Sequence, residues 1–133
     1  MDEADVLVTI IDDDASVRRG LRRAIEAIGA RVQVVASGEE YFAQKPSMRP
    51  DFLLVDVHLP GAGGPDLVAS LRAQHPSACI VMITGRETPG SRAACIAAGA
   101  DMYVLKPIPQ SILVDILRGP PPAGGHKTMV QLP

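Results

Sequence analysis

Phe52-Leu53-Leu54-Val55-Asp56 is a run of four apolar residues closed by a carboxylate. Working outward, four more apolar runs flank it: Val32–Ala36 and Val6–Ile11 upstream, Cys79–Ile83 and Met102–Leu105 downstream. The five runs recur about every 25 residues, are rich in Val, Ile and Leu, and are too short for helices. Continuous apolar runs mark strands buried on both faces, whereas alternation marks strands with one wet face. Gln33 interrupts the second run, as suits an edge strand.

Helical patterns fill the intervals. Val17, Leu21, Ile25 and Ile28 are spaced four, four and three apart, one apolar stripe that Gly29 brings to an end. Asp13 or Asp14 suits the cap of this helix, which the pattern starts near Ser16. Ser37-Gly38-Glu39-Glu40 reads as a capping box, with Ser37 at the N-cap and Glu40 at the third helical position. Pro65 fits the first turn of a helix carrying Leu67, Val68 and Leu71. Ser91 is placed to cap an Ala-rich helix ending at Gly99, and Pro109 to open a last helix with Ile112, Leu113, Ile116 and Leu117. Strand and helix thus alternate five times, and parallel strands need crossovers of helix length. The expectation is a three-layer α/β domain built on a parallel sheet.

Composition fits one domain. A chain of 133 residues that is 47% hydrophobic can bury roughly two-thirds of its unfolded surface, so no disulfide or metal is needed for folding. A net charge of −2 and a pI near 5.9 lack the basic excess of a nucleic-acid binder. Cys79 and Cys95 are too few for a disulfide framework and lack zinc-site spacing, so they read as buried thiols in a reducing compartment. Met1-Asp2-Glu3-Ala4-Asp5 is acidic, unlike the start of a secretory signal. No apolar run approaches the ~20 residues needed to span a bilayer. The expectation is a cytoplasmic chain that engages neither membrane nor nucleic acid. From Gly119 the composition shifts to Gly-Pro-Pro-Pro-Ala-Gly-Gly without periodicity. Residues 1–118 read as the domain and 119–133 as a flexible tail or linker stump.

In an open parallel sheet, ligands bind outside the carboxyl ends of the strands. Asp12, Asp13 and Asp14 follow the first run, Asp56 the third, Thr84 and Gly85 the fourth, and Lys106 and Pro107 the fifth. Alone, each has an ordinary structural use: an Asp caps a helix, a Thr ends a strand, a Lys meets solvent. Their joint delivery to one sheet edge has a chemical sense. Carboxylates gathered within ~4 Å repel by about 1–4 kcal/mol per pair at effective dielectrics of roughly 80 to 20. A hard divalent cation relieves that repulsion, and oxygen ligands with room for water and phosphate favour Mg²⁺. Such a cation, a Lys and a Thr hydroxyl can together neutralise the oxygens of a transferring phosphoryl group. An Asp can be the nucleophile that receives it. The constellation reads as metal-assisted phosphoryl transfer to a carboxylate.

The motifs Ile10-Ile11-Asp12-Asp13-Asp14, Leu54-Val55-Asp56-Val57-His58-Leu59-Pro60-Gly61, Met82-Ile83-Thr84-Gly85 and Leu105-Lys106-Pro107, with the turn Ala98-Gly99-Ala100-Asp101, also carry a resemblance. Over residues 5–118 the sequence resembles the receiver domain of two-component response regulators. That resemblance implies a doubly wound, five-stranded parallel sheet of order 2-1-3-4-5 flanked by five helices, the flavodoxin-like receiver fold. It implies that Asp56 accepts the phosphoryl group. Asp13 and Asp56 would bind Mg²⁺ directly with the His58 backbone carbonyl, and Asp12 through a metal-bound water. Lys106 would pair with Asp56 and then with the phosphoryl group, and Thr84 would turn its hydroxyl to a phosphoryl oxygen. Tyr103 matches the aromatic switch residue, and a cis bond is expected at Lys106–Pro107. The donor would be a phosphohistidine on a sensor histidine kinase or a phosphotransfer protein. The response would be a changed surface around the fourth helix, fifth strand and fifth helix, through which a homodimer could form. The chain would catalyse only its own phosphorylation and dephosphorylation, with no turnover of another substrate.

Some positions modulate the pattern. His58 and Arg86, two residues after Asp56 and Thr84, are bulky groups placed to shield an aspartyl-phosphate from water, with plain solvation as the alternative. Arg18, Arg19, Arg22 and Arg23 form a basic cluster on the first helix, read either as a solvated face or as a docking surface for the phosphodonor. Gly61-Ala62-Gly63-Gly64 makes the loop after Asp56 glycine-rich. The last helix, Pro109–Arg118, looks short, which leaves the dimer surface incomplete. Two architectures fit: a stand-alone receiver acting by protein contact, or the receiver part of a helix-turn-helix transcription regulator, which the stretch Val55–Leu67 resembles. A Mg²⁺-dependent phosphatase would want a second acid where His58 stands. A flavin domain would place phosphate against Asp12-Asp13-Asp14, which would repel it.

Overall fold

The computed structural model describes residues 6–44, 49–59, 61 and 63–119. The expectations for the acidic N-terminus and for the segment beyond Gly119 fall outside these residues, as do Pro60 and Ala62. Strand and helix alternate without exception: β1 (Leu7–Ile11), α1 (Ala15–Ile28), β2 (Arg31–Val35), α2 (Gly38–Ala43), β3 (Phe52–Asp56), α3 (Gly64–Gln74), β4 (Cys79–Thr84), α4 (Ser91–Ala98), β5 (Met102–Leu105) and α5 (Gln110–Arg118). The five strands form one parallel sheet in the order β2-β1-β3-β4-β5, as expected.

The continuous apolar runs are explained by burial on both faces. Successive strand residues point to opposite sides. Ile11, Leu53, Val55, Ile80 and Met82 face one core, with Tyr41 of α2, Leu67, Val68 and Leu71 of α3, and Cys95 of α4. Ile10, Leu54, Val81 and Ile83 face the other, with Ile25 of α1 and Leu113, Ile116 and Leu117 of α5. Each fully buried Leu or Ile contributes about 1.5–3 kcal/mol. The edge strand β2 is the least buried, and Gln33 on it bonds Gln44 across the surface at 2.9 Å.

The helix ends follow local chemistry. Asp14 caps α1, its carboxylate accepting from the N–H groups of Ser16 and Val17. Gly29 closes α1 at φ 108°, a left-handed conformation that costs glycine nothing. Ser37 Oγ accepts from the Glu40 N–H, as the capping box requires, but Glu40 returns its carboxylate to the N–H of Ala36, one residue further back. One expectation fails. Gly90 occupies the N-cap of α4 with no side-chain bond, and Ser91 is the first helical residue. Ser91 Oγ instead receives the Tyr103 hydroxyl at 3.3 Å.

The order 2-1-3-4-5 places a crevice where the connections from β1 and β3 diverge to opposite faces. Three backbone bonds carry the ladder past the strand ends: Asp12 N–H to Val35, Val57 N–H to Ile83, and Lys106 N–H to Thr84. These bonds fix the chain where the candidate residues emerge.

Candidate functional site

Four strand ends deliver the predicted groups to one edge. Asp12 and Asp13 follow β1, Asp56 and Thr84 are the final residues of β3 and β4, and Lys106 follows β5. The carboxylates of Asp12, Asp13 and Asp56 offer oxygens within 4.8 Å of one another. Asp12 is wholly buried, Asp56 nearly so, and Asp13 is exposed, so the cluster opens to solvent on one side. Asp14 belongs to the helix cap and not to the cluster.

Charges balance unevenly. Lys106 Nζ lies 3.7 Å from Asp56 Oδ1, the ion pair expected from the sequence, and nearer still, at 2.8 Å, to Asp12 Oδ2, a partner the sequence did not indicate. The other Asp12 oxygen accepts the Asp14 N–H at 2.9 Å. Asp56 Oδ1 accepts the His58 N–H at 3.1 Å. Burial pushes the Asp56 carboxyl above its ordinary value. The charges of Asp12 and Asp13 push the same way, while the His58 N–H and Lys106 pull back. A cation among these three oxygens would reverse that imbalance, and an all-oxygen donor set with an open side suits Mg²⁺.

The neighbouring loop is tied in as well. Thr84 Oγ1 donates to the Arg86 carbonyl at 2.5 Å and accepts the Arg86 N–H at 3.2 Å. His58 Nε2 meets the same carbonyl at 3.2 Å. The side chains of His58 and Arg86 are both exposed. Tyr103 is buried to 1% exposure, with the Arg92 guanidinium 5.3 Å from its ring centre. The Lys106–Pro107 peptide is cis, as expected.

The site has partners that sequence reasoning missed. Arg18 is not simply one of four solvated arginines: its Nη1 donates to the Asp12 carbonyl at 2.7 Å. Arg19 and Arg23 are exposed, and Arg22 pairs with Glu26 one turn on. Arg72 of α3 bonds the carbonyls of Ala78 and Gly99 and the carboxylate of Asp101, fixing the turn that leads into β5. No short motif spans residues 72 and 101, so nothing in the sequence flags this pair.

The sequence profile of the response regulator receiver domain matches residues 8–118. The chain belongs to the response regulator receiver domain family. Response regulator MprA of Mycobacterium ulcerans (strain Agy99) is 35% identical to this receiver over 102 residues, 77% of this chain and 44% of that protein. MprA of Mycobacterium tuberculosis (strain ATCC 25618 / H37Rv) matches to the same extent. This receiver therefore spans less than half the length of these curated relatives. Among solved structures, the chemotaxis protein CheY4 of Vibrio cholerae is 27% identical with a TM-score of 0.77, covering 85% of this chain and 96% of that one. A response regulator from Burkholderia pseudomallei, solved with a phosphorylated aspartic acid, calcium ion and citrate, is 27% identical with a TM-score of 0.77, covering 86% and 67%. Receivers act as signalling switches, and the expected sheet order and helix count hold for this member.

Proposed function

We propose that this receiver is a phosphorylation-dependent switch in which Asp56 accepts a phosphoryl group from a phosphohistidine of a histidine kinase or phosphotransfer protein. The observation that carries the reading is the meeting of three carboxylates and one ammonium from strand ends up to 94 residues apart. Asp56 attacks phosphorus, an oxygen–phosphorus bond forms as the nitrogen–phosphorus bond breaks, and the donor imidazole keeps the electron pair and takes up a proton. Asp13 and Asp56 would hold Mg²⁺ directly with the His58 carbonyl. Asp12 would act through water, a division supported by Asp12 already using both oxygens on Lys106 and Asp14. Bound Mg²⁺ supplies positive charge against the carboxylates and the incoming phosphoryl oxygens. Lys106 stands between Asp12 and Asp56 and shifts toward the new charge, which adds about −1.5 to −2 at one point.

Thr84 then gives up Arg86 to donate to a phosphoryl oxygen. Tyr103, lying behind it against Ser91 and Arg92, passes the change to the α4–β5–α5 face. That face would engage the next protein, an attached output domain or a second copy. The exposed side chains of His58 and Arg86 rim the site and would slow hydrolysis of the aspartyl-phosphate. The chain acts on itself alone, and its two buried free thiols suit a reducing cytoplasm.

The test is a mass measurement. Incubated with acetyl phosphate and Mg²⁺, the protein should gain one phosphoryl group, and Asp56→Asn should gain none. Labelling that persists in Asp56→Asn would remove Asp56 from its role.

A further inference from the structure

Arg86 is the point at which two loops of the site meet. Its carbonyl accepts from both the Thr84 hydroxyl and His58 Nε2. The hydroxyl also accepts from the Arg86 N–H, so Thr84 is committed to residue 86 in both directions. His58 reaches the carbonyl from the loop after Asp56, 28 residues away in sequence. A carbonyl oxygen only accepts, so Nε2 carries the proton in this contact.

We propose that His58 is a positioning residue: its ring N–H clamps the Arg86 carbonyl and thereby holds Thr84 in the resting orientation, limiting how readily the hydroxyl turns to Asp56. The inference rests on phosphoryl acceptance at Asp56, as proposed above. For Thr84 to reach a phosphoryl oxygen, its two bonds to residue 86 must open. Thr84 is fully buried and both bonds are partly so, so water offers the hydroxyl little replacement while it turns. The clamp adds to that cost, because residue 86 cannot move with Thr84 unless it also leaves His58. Without the imidazole the Thr84–Arg86 pair is no longer anchored to the loop that carries Asp56, and it opens more often. This role is separate from shielding. A shield slows loss of the phosphoryl group, whereas the clamp slows its acquisition.

Wild type, His58→Leu and His58→Gln are compared. Leu fills space without a donor, and Gln offers an amide N–H in place of the ring N–H. The methyl resonance of Thr84 and the amide resonance of Arg86 are followed by NMR in the unphosphorylated proteins. Wild type treated with acetyl phosphate and Mg²⁺ marks the switched positions. His58→Leu should move both resonances toward those positions before any phosphodonor is added. It should also gain phosphoryl mass about two- to ten-fold faster, the span expected for one lost hydrogen bond. His58→Gln should restore wild-type resonances and rate. Resonances in His58→Leu that stay at their wild-type positions overturn the clamp, and so does a Gln variant that behaves like the Leu variant. Failure of the Asp56 reading looks different. Wild type then gains no phosphoryl mass, while the Leu substitution still shifts Thr84 and Arg86.

Discussion

The ammonium of Lys106 donates to Asp12 at 2.8 Å and stands off Asp56 at 3.7 Å. Asp12 has no solvent exposure, so the lysine is the counter-charge of a buried carboxylate before it is anything else. Lys106→Met keeps the stem and removes the charge. Stripping one partner from a buried ion pair costs about 3 kcal/mol or more. Urea melts should show that loss with an unchanged slope. Adding Asp12→Asn to Lys106→Met should recover much of it, because the stranded charge is then gone.

Metal addition gives a second prediction. Mg²⁺ that binds only the folded chain stabilises it by about 2.7 kcal/mol at a hundred-fold excess over Kd. Thermal melts should show the gain in wild type and little of it in Asp13→Ala or Asp56→Asn. Without Mg²⁺ the sign at position 56 reverses. Burial, with Asp12 and Asp13 beside it, raises the Asp56 carboxyl, so the folded state holds that proton more tightly than the unfolded chain does. Stability therefore falls as pH rises through the raised value. At neutral pH and without metal, Asp56→Asn should be the more stable protein.

Arg72 carries a dense set of bonds outside the site. It bonds Asp101 Oδ2 at 2.6 Å, the Gly99 carbonyl at 2.8 and 3.1 Å, and the Ala78 carbonyl at 2.6 Å. Asp101 in turn accepts the Ile80 N–H, so one arginine ties α3 to the entries of β4 and β5. Arg72→Ala strips a buried carboxylate of its counter-charge and several carbonyls of a donor, and should cost about 3–5 kcal/mol in urea denaturation. Arg72→Lys should rescue little, because one ammonium cannot reproduce the guanidinium fork.

Acid should weaken the fold through His75. Its Nε2 shares a 2.7 Å hydrogen bond with the buried Tyr41 hydroxyl, and Nδ1 has no partner among the described residues. Burial, and then Arg49, lowers its pKa below the ordinary 6.5. Above 6.5 the ring is neutral whether folded or not. Below it the unfolded chain takes up a proton that the folded chain refuses, so stability falls with pH until the lowered value is passed. His75→Phe should flatten this part of the stability–pH curve.

The sheet and the positions of its functional residues were legible because they depend on order along the chain. Apolar runs set the strands, and a strand's carboxyl end follows from its direction, so Asp12, Asp13, Asp56, Thr84 and Lys106 could be placed on one edge. Their pairing was not legible. Whether Lys106 prefers Asp12 or Asp56 is decided by differences of about an ångström between side chains from separate strands. Arg72 and Asp101, or Tyr41 and His75, meet only after α2, α3 and β5 have packed, and no local spacing encodes that. Ser91 shows the same limit on a small scale. Its hydroxyl had two uses, a cap or a partner for Tyr103, and only the tertiary structure chose between them.

The order of manufacture gives the Lys106–Asp12 contact a further meaning. Asp12, Asp13 and Asp56 leave the ribosome well before Lys106. Any arrangement of the first four strands that gathered these three acids would lack Lys106 to face them. Arrival of β5 supplies the missing sheet edge and, one residue later, the neutralising charge. Completion of the sheet and completion of the site's charge are therefore coupled, and a chain cut short before residue 106 is penalised in both core and charge.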